Sequence, residues 1–463
     1  MGSTVIRLTG IVVALAACGD DAGNRKIMDA PAVGHDEGQI DSPVASPVTV
    51  TVKNQAGPTE NIEVYFQNAD STVVATSHTD ANGIASQVMD AGGFVTLVNP
   101  YLLAGFGGGN QLVTWAGVKP GDHLVLDNSS VQMFATVTFQ LPLAVGAASY
   151  NFYASCNNAT ITYSTPTGTG ISTVDEQVSL YGCGGTADLL LVASDIDNQP
   201  VSYFYVPAQP INDGDTIDYT AKTFTAVVQR AFEFDNNASP NDAVTIGDQF
   251  ITSRGQVFQQ QNLPVGGTTV ATTFFEPGLP TGALDVVTTQ QTVANTNRNT
   301  VAWGPTAADY TVDYAASLLG DFTVDPSLDT GTHAMSWTLG AGKTADFAIG
   351  GVFASRLSAT SWSWQIVGPS GTQLQLPTLP TDVADFTIVA TDSFNVDSVG
   401  IGHVPGGYDA FRANAFGGQP GVIGASGTAA FNSWQPPLTA TSVAKKRFVS
   451  NRAVAPRGVW SKH

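Results

Sequence analysis

The residues of this chain that are able to do chemistry are few and widely separated. Its six histidines are His35, His78, His123, His333, His403 and His463. They form no HExxH motif, and no two sit at metal-ligand spacing. Gly424-Ala425-Ser426-Gly427 falls one residue short of the Gly-x-Ser-x-Gly turn that exposes a nucleophilic serine. No phosphate-cradling glycine loop follows a strand-like run. Two clusters carry the hard oxygens that calcium takes: Asp235-Asn236-Asn237 with Asp242, and Asp195-Ile196-Asp197-Asn198. Neither has EF-hand spacing or a closing bidentate Glu, and Asx turns account for both equally well. Trp362 and Trp364 stand two apart in a strand-like run that continues to Ile366. Both indoles then share one face, which stacks on sugar rings if exposed and lines a core if buried. The continuing Ile366 favours the core. Tyr408, beside Gly406-Gly407, is a weaker ligand candidate of the same kind. The expectation is no catalytic site and no resident cofactor or metal, with calcium at Asp195, Asp197, Asp235 and Asp242 as the alternative.

The clearest chemistry belongs to a thiol. After a short positive start at Arg7, an apolar run from Leu8 to Ala17 ends at Leu15-Ala16-Ala17-Cys18. That run is too short to span a bilayer and fits the core of an export signal. The four residues 15–18 resemble the lipobox of bacterial lipoproteins. The resemblance implies that residues 1–17 are removed and that Cys18, lipidated on sulfur, becomes the new N-terminus. One acyl chain holds a protein to a membrane only marginally, whereas two or three anchor it stably. The other cysteines, Cys156 and Cys183, lie within one predicted domain. In an oxidising compartment such an even pair suggests a disulfide.

The elements that carry these residues read as strands. Val48, Val50 and Val52 alternate with threonines; Ile62, Val64 and Phe66 repeat the period; Asn82-Gly83 supplies the positive φ of a tight turn. Gly57-Pro58, Thr79 to Gly83 and Gly93-Phe94 give residues 47–99 a likeness to bacterial Ig-like and carboxypeptidase-regulatory-like modules. This likeness implies a β-sandwich and no chemistry. The later units resemble surface lipoproteins of predatory and soil bacteria in overall style and in the stretch Leu376-Pro377-Thr378-Leu379-Pro380. The predicted fold is all-β: serial Ig-like β-sandwich domains behind a lipidated flexible tether. The predicted order is a signal peptide at 1–17, a polar tether at 18–45 and a first sandwich at 46–129. A second sandwich with the disulfide follows at 130–225, then a β domain at 226–300, a β-sandwich at 301–440 and a basic tail at 441–463. Ala307–Leu319 is the best candidate for a helix and fits a strand equally well.

Charge narrows the partners. Only 12% of residues are charged, and the net charge is −20. A polyanion would be repelled, so nucleic acid is excluded as a partner. Lys445, Lys446, Arg447, Arg452, Arg457 and Lys462 follow the last acidic residue, leaving residues 19–444 with 38 acidic and 11 basic groups. A basic segment of this kind either folds back on the acidic body, touches anionic lipid, polysaccharide or a protein, or stays solvated. The expected function is a structural, adhesive or binding role with no identifiable catalysis. The expected location is the bacterial envelope, with the lipid in the outer membrane rather than the inner one. Envelope polysaccharide or protein is the expected partner. The rival expectation is a carbohydrate-active or other hydrolytic enzyme with its β-fold catalytic domain in 226–440. The glycosylation sequons at Asn128 and Asn158 would suit a eukaryotic secreted protein instead, which the lipobox opposes.

Overall fold

The computed structural model describes residues 46–436, apart from 55–56, 99–109, 128–133, 143, 157–158, 167–172, 180–184, 198, 236–243, 253–254, 266–269, 277–283, 306–309, 357–360, 370, 414, 417–425 and 435. Cys18, Cys183 and Asp242 lie outside the described residues. So do the side chains of Cys156 and Asp235, although both positions end strands, Ser149–Cys156 and Val228–Asp235.

The described chain is almost entirely strand, with helix confined to short turns such as Tyr314–Ser317 and Gly407–Arg412. Ala307–Leu319 therefore divides between the strand Tyr310–Asp313 and a single helical turn. Asp313 starts that turn by accepting the Ala316 amide at 3.0 Å. Among the described residues no helix is long and apolar enough to cross a membrane.

One long sheet of twelve strands organises the body. In spatial order it runs Gly255–Val265, Val244–Thr252, Leu284–Val293, Thr296–Pro305, Gly427–Trp434, Ser393–His403, Phe347–Ser355, Ser361–Pro369, Asn110–Val118, Gly93–Val98, Glu63–Gln67 and Val73–His78. The join between its two halves is parallel, with Trp362 opposite Asn110 and Val367 opposite Trp115.

The strands within residues 63–118 share their sheet with strands of 347–434 and 244–305. Turn punctuation marks where the chain reverses. It is silent about which strands pair over hundreds of residues. Residues 134–226 do hold a core of their own. There the sheet containing Ser149–Cys156 and Thr186–Ser194 faces a smaller one built on Phe134–Gln140. Phe139, Phe152, Leu189, Leu191, Phe204 and Tyr219 fill the space between them.

Both faces of the long sheet near residues 63–118 are covered. On one face, Val64, Phe66, Val95, Leu97, Val113 and Trp115 pack against Val48, Val50, Val52, Leu124 and Leu126. These last five belong to Val48–Asn54 and His123–Asp127, which pair in parallel. The valine–threonine alternation thus folds as the period demands, with valines inward. On the other face, Tyr65, Leu112, Trp362, Trp364 and Ile366 meet Met335, Trp337 and Leu374. Those three come from a small sheet of Phe322–Asp329, Ala334–Leu339 and Gln373–Gln375.

At Gly83 the turn needs glycine twice over. Its φ is +73°, and a Cβ there would lie 2.3 Å from the carbonyl oxygen of Val52.

Candidate functional site

The short helix Gly407–Arg412 gathers ionisable groups at one end of the long sheet. Gly406 and Gly407 enter it with φ of +81° and +65°. This bend turns the chain from Ser393–His403 back across the sheet end. It buries Phe411 against Phe347, with ring centroids 3.6 Å apart and nearly parallel. It also buries Tyr408, whose hydroxyl donates to the carbonyl of Ala116. Burial pushes the Tyr408 phenol above its ordinary pKa, so it stays protonated.

Arg412 is 2% exposed. Its Nη2 donates to Asp122 Oδ1 at 2.6 Å. Its Nη1 donates to the Gly117 carbonyl at 2.8 Å and to Asp409 Oδ1 at 3.1 Å. The guanidinium also lies 5.1 Å from the Tyr408 ring centroid. Asp409 in turn accepts from Lys119 at 2.6 Å. Arg412 is therefore held between two carboxylates, a carbonyl and a ring. Its donors tie the 117–122 turn to a helix almost 300 residues later.

Nearby, His403 Nδ1 lies 2.9 Å from Asp346 Oδ2. The same oxygen accepts the Val404 amide at 3.0 Å. The two groups stand at ion-pair distance, but His403 Nδ1 makes no hydrogen bond, so the imidazole is not oriented by the carboxylate. Asp346 instead holds the end of one strand through the Val404 amide.

Two further arginines repeat the clamp. Arg298 donates through Nε to Asp321 Oδ1 at 2.7 Å, through Nη2 to Asp321 Oδ2, and through Nη1 to Gln291 Oε1 at 3.0 Å. Arg356 grips Asp392 through Nε at 2.7 Å and Nη2 at 3.0 Å, and Asp392 accepts the Val389 amide at 2.9 Å. The Asp392 side chain has no solvent exposure. The Arg356 hydrogen bond holds its carboxyl below the usual range, with the amide of Val389 adding to the effect.

A depressed folded-state pKa stabilises the fold above the unfolded value of about 4, and this contribution is lost as pH falls through the folded value. Arg356→Met should therefore lower Tm at pH 7, and the gap to wild type should close as both are titrated below pH 4. An equal gap at pH 7 and pH 2 would show that the ion pair does not contribute in this way.

The other candidates from the sequence fall in structural places. Asp195 Oδ1 accepts the amides of Asp197 and Gln199 at 2.9 and 2.8 Å, an Asx turn that closes the hairpin between Thr186–Ser194 and Pro200–Pro210. Among the described residues, no three His, Cys, Asp or Glu side chains are grouped to hold a metal. Trp362 and Trp364 are 3% and 2% exposed. The Trp364 indole N–H donates to Thr114 Oγ1 at 2.9 Å. Both rings lie inside the core, where no sugar can stack on them. Tyr408 is buried likewise.

A cavity of about 10 Å³ beside Trp364 and His333, lined also by Leu328, Leu376, Pro377, Thr387 and Ile388, holds at most one water. The Leu376–Pro380 stretch runs as a strap over the sheet. Gln67 Nε2 donates to the Thr378 carbonyl at 2.8 Å, and the Tyr65 hydroxyl donates to Asp382 at 2.8 Å.

Reading the sequence missed Arg412, Arg298 and Arg356. The only local signal was the three-residue spacing of Asp409 and Arg412, since the principal partner, Asp122, lies 290 positions away.

The fold and this cluster define an all-β protein of packed sheets whose described arginines each clamp a carboxylate of another segment. No family model matches the chain, and no curated protein matches it. Among solved structures it is similar to the Bacillus anthracis TIE protein, at 9% identity over 58% of this chain and TM-score 0.14. The match spans only 50% of that protein's chain. A Streptococcal ancillary pilin is similar at 6% identity over 58% of this chain and 98% of its own, TM-score 0.13. A tetra-tandem repeat from the extending region of a large adhesion protein gives 11% identity, 85% and 100% coverage and TM-score 0.13. At TM-scores this low the likenesses carry no argument about role.

Proposed function

We propose that this chain is a structural, adhesive or binding lipoprotein of the bacterial envelope, held to the outer membrane through Cys18. The observation that carries the structural part is the use made of charge. The guanidinium groups of Arg298, Arg356 and Arg412 each lock a carboxylate from a separate segment. In a protein with so few charged residues, this spends cations on joining strands. The long sheet supports the same reading, because one hydrogen-bonded ladder joins strands from residues 63–118, 244–305 and 347–434.

The anchoring is tested directly. Globomycin or Cys18→Ala should move the protein from the membrane fraction to the soluble fraction. Unchanged partition would refute lipid attachment. The role is tested by presenting the mature chain to envelope polysaccharides and surface proteins in a pull-down and on a glycan array. Retention without turnover supports it; hydrolysis of an arrayed glycan refutes it in favour of an enzyme.

We further propose a Cys156–Cys183 disulfide. It would close a loop of about 28 residues and add roughly 3–4 kcal/mol on a chain-entropy view. The intact mass should be two hydrogens below the reduced value. Two thiols freely alkylated in denaturant without reductant would exclude the bond.

A further inference from the structure

One side of the 46–127 sandwich is built for pairing and has no partner among the described residues. Val73–His78 ends the long sheet, and Ile84–Gln87 ends the sheet facing it. A strand edge presents unpaired N–H and C=O groups, and proteins ordinarily blunt it with lysine, proline or a cover. This edge has neither lysine nor proline and no cover among the described residues; its one irregularity is a bulge at the Val73 end, where the register against Glu63–Gln67 shifts. No Lys, Arg or Pro occurs from Val73 to Gly93, and no Lys or Arg between Lys53 and Lys119. Val73, Val74, Ile84 and Val88 are 46%, 36%, 38% and 46% exposed, a run of large apolar side chains left toward solvent. The rim around them is acidic. Asp70 stands before the edge strand and Asp80 after it, both exposed, and Glu63 is the cross-strand neighbour of His78.

The chain carries a segment of complementary chemistry. Residues 445–462 hold six basic residues and no acidic one, in a protein otherwise strongly negative. Within it, Arg447-Phe448-Val449-Ser450-Asn451-Arg452 is six residues long, as is Val73–His78. As a strand it would set Arg447 and Arg452 about 17 Å apart. The six-residue edge strand is itself about 17 Å long, with Asp70 three residues before it and Asp80 two after it. Phe448 and Val449, on opposite faces, would meet the two faces of the edge.

We propose that residues 447–452 add as an extended strand along Val73–His78. The edge amides and carbonyls supply the ladder, and the arginines meet the Asp70 end and the Asp80/Glu63 end. The basic segment is then the cover of this sheet, not a lipid- or nucleic-acid-binding arm.

Hydrogen exchange on the full chain tests the idea. The comparison is wild type against a variant carrying Lys445→Glu, Lys446→Glu, Arg447→Glu and Arg452→Glu, all outside the packed body. Amides of residues 73–78 should exchange about tenfold or more slowly in wild type than in the variant. The difference should shrink in high salt. Protection that is independent of protein concentration assigns the strand to the same molecule, and protection that grows with concentration assigns it to a neighbouring copy; either supports the pairing. Equal exchange in the two proteins overturns it, whether the edge is bare in both or covered in both by something else.

Discussion

Replacing Arg412 with alanine should destabilise the body by about 3 kcal/mol or more, with a matching fall in Tm. The size follows from what the guanidinium leaves behind. Arg412 is almost fully buried, and the Asp122 side chain that receives its Nη2 is itself only 18% exposed. Without the arginine, that carboxylate keeps its desolvation cost and loses its counter-charge. The Gly117 carbonyl loses its donor, and the Tyr408 ring loses the cation beside it. Removing one member of a buried charge pair typically costs more than the pair itself contributes, because the survivor is stranded.

A second substitution separates these terms. Arg412→Met with Asp122→Asn removes both charges while keeping much of the volume, and it should recover a good part of the loss. Chemical denaturation of the three proteins checks this. A fall below about 1 kcal/mol for Arg412→Ala would mean that the clamp is a surface ion pair in effect.

Trp364→Ala should cost about 3–5 kcal/mol, the usual range for deleting a large buried aromatic ring. The indole sits between the long sheet and the small sheet of Ala334–Leu339, among Met335, Trp337 and Leu374. The cavity already beside it is far too small to absorb the lost volume. Thr114 Oγ1 would also lose a donor, although it keeps its 2.9 Å hydrogen bond to Thr96. Trp364→Phe isolates that smaller effect, since most of the apolar volume remains. It should cost the hydrogen bond, about 1 kcal/mol, plus a modest packing loss. Stability curves decide between a core ring and a binding platform. A Trp364→Ala protein with unchanged Tm and diminished glycan binding would show that the ring faces a ligand.

Much of the local structure was legible in the sequence. Val48, Val50 and Val52 had to share a face, Asn82-Gly83 had to turn, and Ile366 after Trp362 and Trp364 marked the stripe as inward. Each follows from interactions within a few residues: the two-residue period of a strand, the steric freedom of glycine, the cost of leaving apolar rings in water. The absence of familiar catalytic motifs and the excess of negative charge were equally readable, because both are properties of the list of residues.

The sequence by itself determined an all-β chain of alternating strands and tight turns, with inward faces that can be named residue by residue. Tertiary structure alone decided which strands are neighbours: that Ser361–Pro369 lies parallel to Asn110–Val118, that Arg412 finds Asp122, and that Val73–His78 is left at an edge. The reason is physical. Alternation specifies which way a side chain points and says nothing of the backbone beside it, since any strand's N–H and C=O groups can pair with those of any other. The choice among partners is made by the packing of whole faces, summed over residues hundreds of positions apart.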